Sequence, residues 1–124
     1  MNTLILDLKG TLVDADGSLR SGTAALFQRV SSADARVVLY TMNEKWSYAV
    51  IRRNAELFQV FDELRIVKRK QLADLESFNA ATTLVVGDSE TEELAFGRTL
   101  GMLVLSAKDA LPLDAISTFL GVRP

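Results

Sequence analysis

Five short runs of apolar and branched residues punctuate the chain, at 3–8 (TLILDL), 37–41 (VVLYT), 64–67 (LRIV), 83–86 (TLVV) and 102–105 (MLVL). They are nearly continuous rather than alternating, the pattern of strands covered on both faces. Between them lie segments with helical spacing: Ser21 to Ser32, Glu44 to Leu57, Gln71 to Phe78, Glu90 to Leu100 and, closing the chain, Leu113 to Leu120. In the second of these, Trp46, Ala49, Val50 and Leu57 fall on one face. Strands alternating with helices in this rhythm predict a parallel five-stranded sheet with helices on both faces. That is a three-layer α/β/α, Rossmann-like architecture. Such sheets bind ligands beyond the carboxyl ends of their strands.

Length and composition narrow the picture. A chain of 124 residues, 48% of them hydrophobic, suits one domain over 1–124 with a real core. A net charge of -2 provides no overall basic field, so nucleic acid is not the expected partner. The chain has no cysteine, which removes thiol catalysis and thiolate metal sites and fits a reducing, cytoplasmic setting. It has no histidine either, so acid/base and metal chemistry must run through Asp, Glu, Lys or backbone oxygen. Those donors favour a hard cation such as Mg²⁺. A charge at position 7 breaks the first apolar run, and no later run is long enough to span a bilayer, so neither a leader nor a membrane is expected.

The polar residues that end the strands carry the chemistry. The first run delivers Asp7, Lys9 and Thr11; the second, Thr41 and Asn43; the third, Lys68 and Lys70; the fourth, Asp88, Ser89, Glu92 and Glu93. Converging on one rim, they form an inventory suited to a phosphoryl group held through Mg²⁺. Asn43 reads as a helix N-cap, and Ser89 with Glu92 as a capping box, which leaves Glu93 as the acid for the site.

Asp-x-x-Gly-Thr after a first strand, an apolar run ending in Thr, a lysine after a third strand, and "VGDSETEELAFGRTLGM" together resemble the four motifs of the haloacid dehalogenase superfamily. The similarity covers nearly the whole chain. It implies that Asp7 is a nucleophile forming an aspartyl-phosphate. By the same resemblance Thr41 and Thr11 serve the phosphoryl group, and a lysine, Lys70 in preference to Lys68, neutralises its charge. Mg²⁺ would be held by the carboxylates of Asp7 and Asp88 and the carbonyl of Lys9, with Glu93 nearby. The stretches that hold cap domains in larger members are short here, so a cap-less core is expected. Such cores act on macromolecular phosphoesters or borrow a lid from a neighbouring copy in a homo-oligomer.

One position departs from the pattern. Phosphatases of that family carry, two residues after the nucleophile, an Asp that protonates the leaving group and then activates water; here it is Lys9. An ammonium has no lone pair, and lysine's ordinary pKa of about 10.4 makes it a poor acid near neutrality. Two readings follow: a Mg²⁺-dependent phosphohydrolase with weakened or altered activity, with Lys9 among its catalytic-site residues, and a non-catalytic phosphate-binding or protein-interaction module. A response-regulator receiver ranks behind both, because it needs an Asp after the third strand, where this chain places bases.

Overall fold

The computed structural model describes residues 1–123. Within them the strands β1 (Asn2–Asp7), β2 (Ala35–Met42), β3 (Glu63–Val67), β4 (Thr83–Gly87) and β5 (Leu103–Ser106) form one parallel sheet in the order β3-β2-β1-β4-β5. The helices are α1 (Thr23–Ser31), α2 (Lys45–Arg53), α3 (Glu93–Thr99) and α4 (Leu113–Leu120). This is the predicted three-layer α/β architecture.

Successive strand side chains point to opposite faces, and the two halves of the core follow that alternation. Leu4, Leu6, Val37, Leu39, Leu84 and Val86 pack on one side with Leu26, Phe27 and Val30 of α1, Val50 of α2 and Ile116 of α4. Ile5, Val38, Tyr40 and Val85 pack on the other, with Phe96 and Leu100 of α3 and with Leu75 and Phe78. Each fully buried aliphatic side chain contributes roughly 1.5–3 kcal/mol, so the sheet is held from both faces. Asp7 continues the Ile5 side of the alternation, toward α3. β1 is central: the chain builds outward from it through β2 and β3, then crosses back to β4 and β5. The direction of winding therefore reverses between β1 and β4, and the crevice at that reversal is the ligand position of a doubly wound sheet.

The elements differ from the sequence expectation in four places. α2 stops at Arg53, not Leu57, because the Asn54 amide donates back to the Val50 carbonyl at 2.9 Å and its backbone leaves the helical region. A 3-10 turn at Leu57–Val60 then sends Phe58 into an edge-to-face cluster with Phe27. Residues 71–78 form only a 3-10 turn at Leu72–Leu75, since Leu72, Leu75 and Phe78 recur every three residues, the 3-10 period. Asn43 is not an N-cap: Glu44 occupies that position, and the Asn43 N–H prolongs the β2–β3 ladder by donating to Val67 at 2.7 Å. The Ser89–Glu92 box does not form either, because α3 begins at Glu93, three residues later than a Ser89 cap implies, and Glu93, not Glu92, accepts the Ser89 N–H at 2.7 Å.

Candidate active site

Asp7 is the last residue of β1, and the loop after it is wound tightly. The amides of Thr11, Leu12 and Val13 all donate to the Leu8 carbonyl, at 3.2, 2.9 and 3.2 Å, and the Gly10 amide donates to Val13 at 2.8 Å. Gly10 has φ +80°, and a Cβ built on it would stand 2.1 Å from Asp88 Oδ2. The glycine thus lets the β1 loop come up against the acid that follows β4. Arg20 fastens the same loop from behind: its Nη1 donates to the carbonyls of Gly10 at 2.5 Å and Thr11 at 3.2 Å, and to Ala107 after β5 at 2.6 Å. Arg20 had no signal in the sequence. Gly10→Ala combines a left-handed backbone with this clash and is expected to cost about 2 kcal/mol or more. Thermal unfolding with and without Mg²⁺ checks it: the variant should lose both stability and any stabilisation by the ion.

The floor of the crevice is a buried ion triad. Lys70 Nζ lies 2.7 Å from Asp7 Oδ1 and 2.8 Å from Glu93 Oε1, and all three side chains are almost wholly shielded from solvent. Lys70 also sits over the Tyr40 ring, 4.8 Å from its centroid. Glu93 reaches the site because Gly87 leaves room for it; a Cβ there would lie 2.4 Å from Glu93 Cγ. Its second oxygen is the one that accepts from Ser89. Both oxygens of Glu93 are therefore committed, one to the lysine and one to the backbone.

Asp7, Asp88 and Glu93 each bring a carboxylate oxygen within 4.8 Å of the others. Three carboxylates against one ammonium leave a formal excess of two negative charges. Burial pushes the Asp7 carboxyl up to about 8; the Lys70 ammonium pulls it back, and Glu93 and Asp88 raise it further. For Lys70, burial acts downward, but Asp7 and Glu93 together outweigh it and hold the ammonium above its ordinary range. The strain on Asp7 is first that of a carboxylate taken out of water, and the neighbouring acids add to it. An oxygen-ligating divalent cation would relieve it, and the donor set fits Mg²⁺.

The remaining candidates lie around this floor. Thr41 is buried at the end of β2, lines the crevice and has its hydroxyl 3.4 Å from Ser47 Oγ. Thr11 is buried behind the site, donating to Asp7 Oδ2 at 3.4 Å. Lys9 is exposed at the rim, with its ammonium 5.3 Å from the centroid of the Trp46 ring. Lys68 is exposed outside the crevice, so of the two lysines after β3 only Lys70 enters it. Glu44 and Glu92, which sequence reasoning did not assign to the site, line the 280 Å³ crevice together with Trp46 and Ser89.

No family model matches the sequence, and no curated protein sequence matches it significantly. Solved structures do match. YfnB of Bacillus subtilis, described as a HAD-hydrolase bound to magnesium, superposes with a TM-score of 0.67 at 17% identity, over 86% of this chain and 57% of its own. The chain therefore spans little more than half of that relative. An uncharacterised protein of Corynebacterium glutamicum matches end to end, over 100% and 98% of the two chains, at TM-score 0.72 and 16% identity. The D,D-heptose 1,7-bisphosphate phosphatase of B. bronchiseptica, complexed with magnesium and phosphate, gives 0.66 at 19% identity over 84% and 79%. The chain has the fold of the haloacid dehalogenase-like hydrolases, as its motifs imply.

Proposed function

We propose that the protein is a Mg²⁺-dependent phosphohydrolase that works through an aspartyl-phosphate on Asp7, on a cap-less core. The observation that carries this reading is the buried Lys70 bridging Asp7 and Glu93, with Asp88 completing a carboxylate cluster at the mouth of β1 and β4. Magnesium in two of the matched structures, and phosphate in one, supports it. Asp7, Asp88 and the Lys9 carbonyl would hold the ion, with Glu93 nearby; when bound, it supplies the positive charge that lets an anionic nucleophile meet an anionic phosphate.

A carboxylate oxygen of Asp7 attacks phosphorus, and the bond to the leaving oxygen breaks with its electron pair. Lys70, buried beside Asp7, offsets charge gathering on the phosphoryl group, and the Thr41 hydroxyl donates to one of its oxygens. Water then attacks the same phosphorus, releasing the Asp7 carboxylate and leaving both water protons on the departing phosphate. Preorganisation is what the fold contributes: the floor is rigid because each of its charged groups is held by another or by backbone.

Lys9 favours a second reading, a phosphate-binding module without turnover, since no carboxylate occupies the usual acid/base position. Hydrolysis of p-nitrophenyl phosphate separates the two. The enzyme reading expects release of nitrophenol that requires Mg²⁺, stops with EDTA and is lost in Asp88→Asn. A rate equal to that of buffer with Mg²⁺, from protein that still binds phosphate, would leave only the binding module.

A further inference from the structure

Next to the crevice, across the side chain of Met42, lies a second groove with a volume near 740 Å³, walled by Val67, Lys68, Arg69, Gln71 and Asp74. We infer that this groove receives a second phosphoryl group of the substrate, so that the preferred substrates are small bisphosphates rather than monophosphates. The inference rests on the phosphohydrolase reading of the crevice and adds a substrate class to it.

Charge carries the argument. The segment Lys68-Arg69-Lys70 delivers three successive cations from the end of β3, and it splits them. Lys70 turns inward to the ion triad, while Lys68 and Arg69 remain exposed on the groove side. Among the described residues neither Lys68 nor Arg69 has a carboxylate within ion-pair distance, although Arg36, Arg65 and Arg98 all do. The groove's one acid is already committed: Asp74 Oδ2 accepts the Tyr40 hydroxyl at 2.5 Å and the Gln71 amide at 2.9 Å. Two cations thus face one carboxylate that is turned to other partners, which leaves the groove net positive beside the crevice. A guanidinium next to an ammonium matches a phosphate dianion, which accepts from both. Met42 is shared by the two spaces, so a ligand passing over it would place one anion in each.

The test uses Asp7→Asn, which holds ligand without turning it over, and titrates it by calorimetry in Mg²⁺ with alkane-α,ω-diol bisphosphates of two to six carbons. Alkyl monophosphates of the same lengths are the comparison. A bisphosphate should bind about tenfold or more tightly than its monophosphate, with an optimum spacer length and a preference that shrinks with added salt. Lys68→Ala/Arg69→Ala should abolish that preference and leave monophosphate affinity unchanged; both residues are exposed, so the variant should fold. In the active protein the same double change should raise KM for bisphosphates and spare p-nitrophenyl phosphate. Equal affinity for both ligand series, or a preference that survives the double variant, would overturn the groove assignment while the crevice reading stands. Failure of the monophosphates to bind as well would bring down both.

Discussion

Asp7→Asn is expected to abolish turnover and, in the absence of metal, to raise the melting temperature. The first effect follows from chemistry: an amide cannot attack phosphorus as a carboxylate does, and loss of a nucleophile lowers kcat by about three orders of magnitude or more. The second follows from burial. Asp7 is 6% exposed, and its carboxyl is pushed up to about 8 by that burial, against an ordinary value of 3.8. A carboxyl raised in the folded state favours folding when protonated and opposes it when ionised. The penalty is absent below about pH 3.8, grows as pH rises through the window and is complete above about 8. At pH 7, far above 3.8 and within about a unit of 8, most of it is present. Asn has the same shape and no charge, and Lys70 keeps Glu93 as its partner. The difference in melting temperature should therefore close as pH falls toward 4. Mg²⁺ should reverse the order at neutral pH, stabilising the wild type by about 3 kcal/mol at a hundredfold excess over its dissociation constant and the variant by less. A lower melting temperature for the variant at pH 7 would show that Asp7 is not strained, and a preserved rate would place the nucleophile elsewhere.

The strand rhythm was legible because strands covered on both faces must be apolar at every position, a signal that little else imitates. The candidate site residues were legible because strand ends are where such a sheet leaves room for polar groups, so Asp7, Thr41 and Asp88 stood out by position, whereas Lys70 was preferred to Lys68 only through the resembled motif. What was illegible is instructive. A capping template claimed Glu92 and so left Glu93 for the site, but the geometry behind that choice was not legible: α3 starts three residues later than the template implies, and it is Glu93 that meets the Ser89 backbone and Lys70. Arg20 lies in a polar loop with no periodicity, yet it joins the loops after β1 and β5 through three carbonyls. Its partners are distant in the chain or irregular in structure, and no local pattern encodes them. The 71–78 segment looked helical because its apolar residues recur, but recurrence every three residues gives a 3-10 turn. Asp74, held by Tyr40 and the Gln71 amide, fixes that turn against the sheet.

Lys9→Asp is expected to raise the hydrolysis of alkyl phosphates far more than that of aryl phosphates. An alkoxide is too basic to leave unprotonated, whereas nitrophenolate departs readily as an anion, so a proton donor matters mainly for the first. General acid–base catalysis contributes about 10²–10⁴-fold, which sets the scale of the gain for alkyl substrates and predicts a modest one for aryl. The backbone at this position would stay as it is, since Lys9 and Val13 share a main-chain bridge and the side chain itself lies at the rim over Trp46. Electrostatics act in the same direction. A unit charge pair at 4 Å and an effective dielectric near 20 is worth about 4 kcal/mol, so exchanging an ammonium for a carboxylate at the rim should also tighten Mg²⁺ binding. The two effects separate in kinetics: tighter metal binding lowers the Mg²⁺ concentration needed for half-activity with every substrate, while a restored acid alters the ratio of alkyl to aryl rates. A changed Mg²⁺ requirement with an unchanged ratio would mean that Lys9 acts on the ion alone and that another crevice acid, Glu44 or Glu92, already serves the leaving group. Glu44→Gln and Glu92→Gln would then identify it, because only the acting acid would make alkyl rates collapse while aryl rates held.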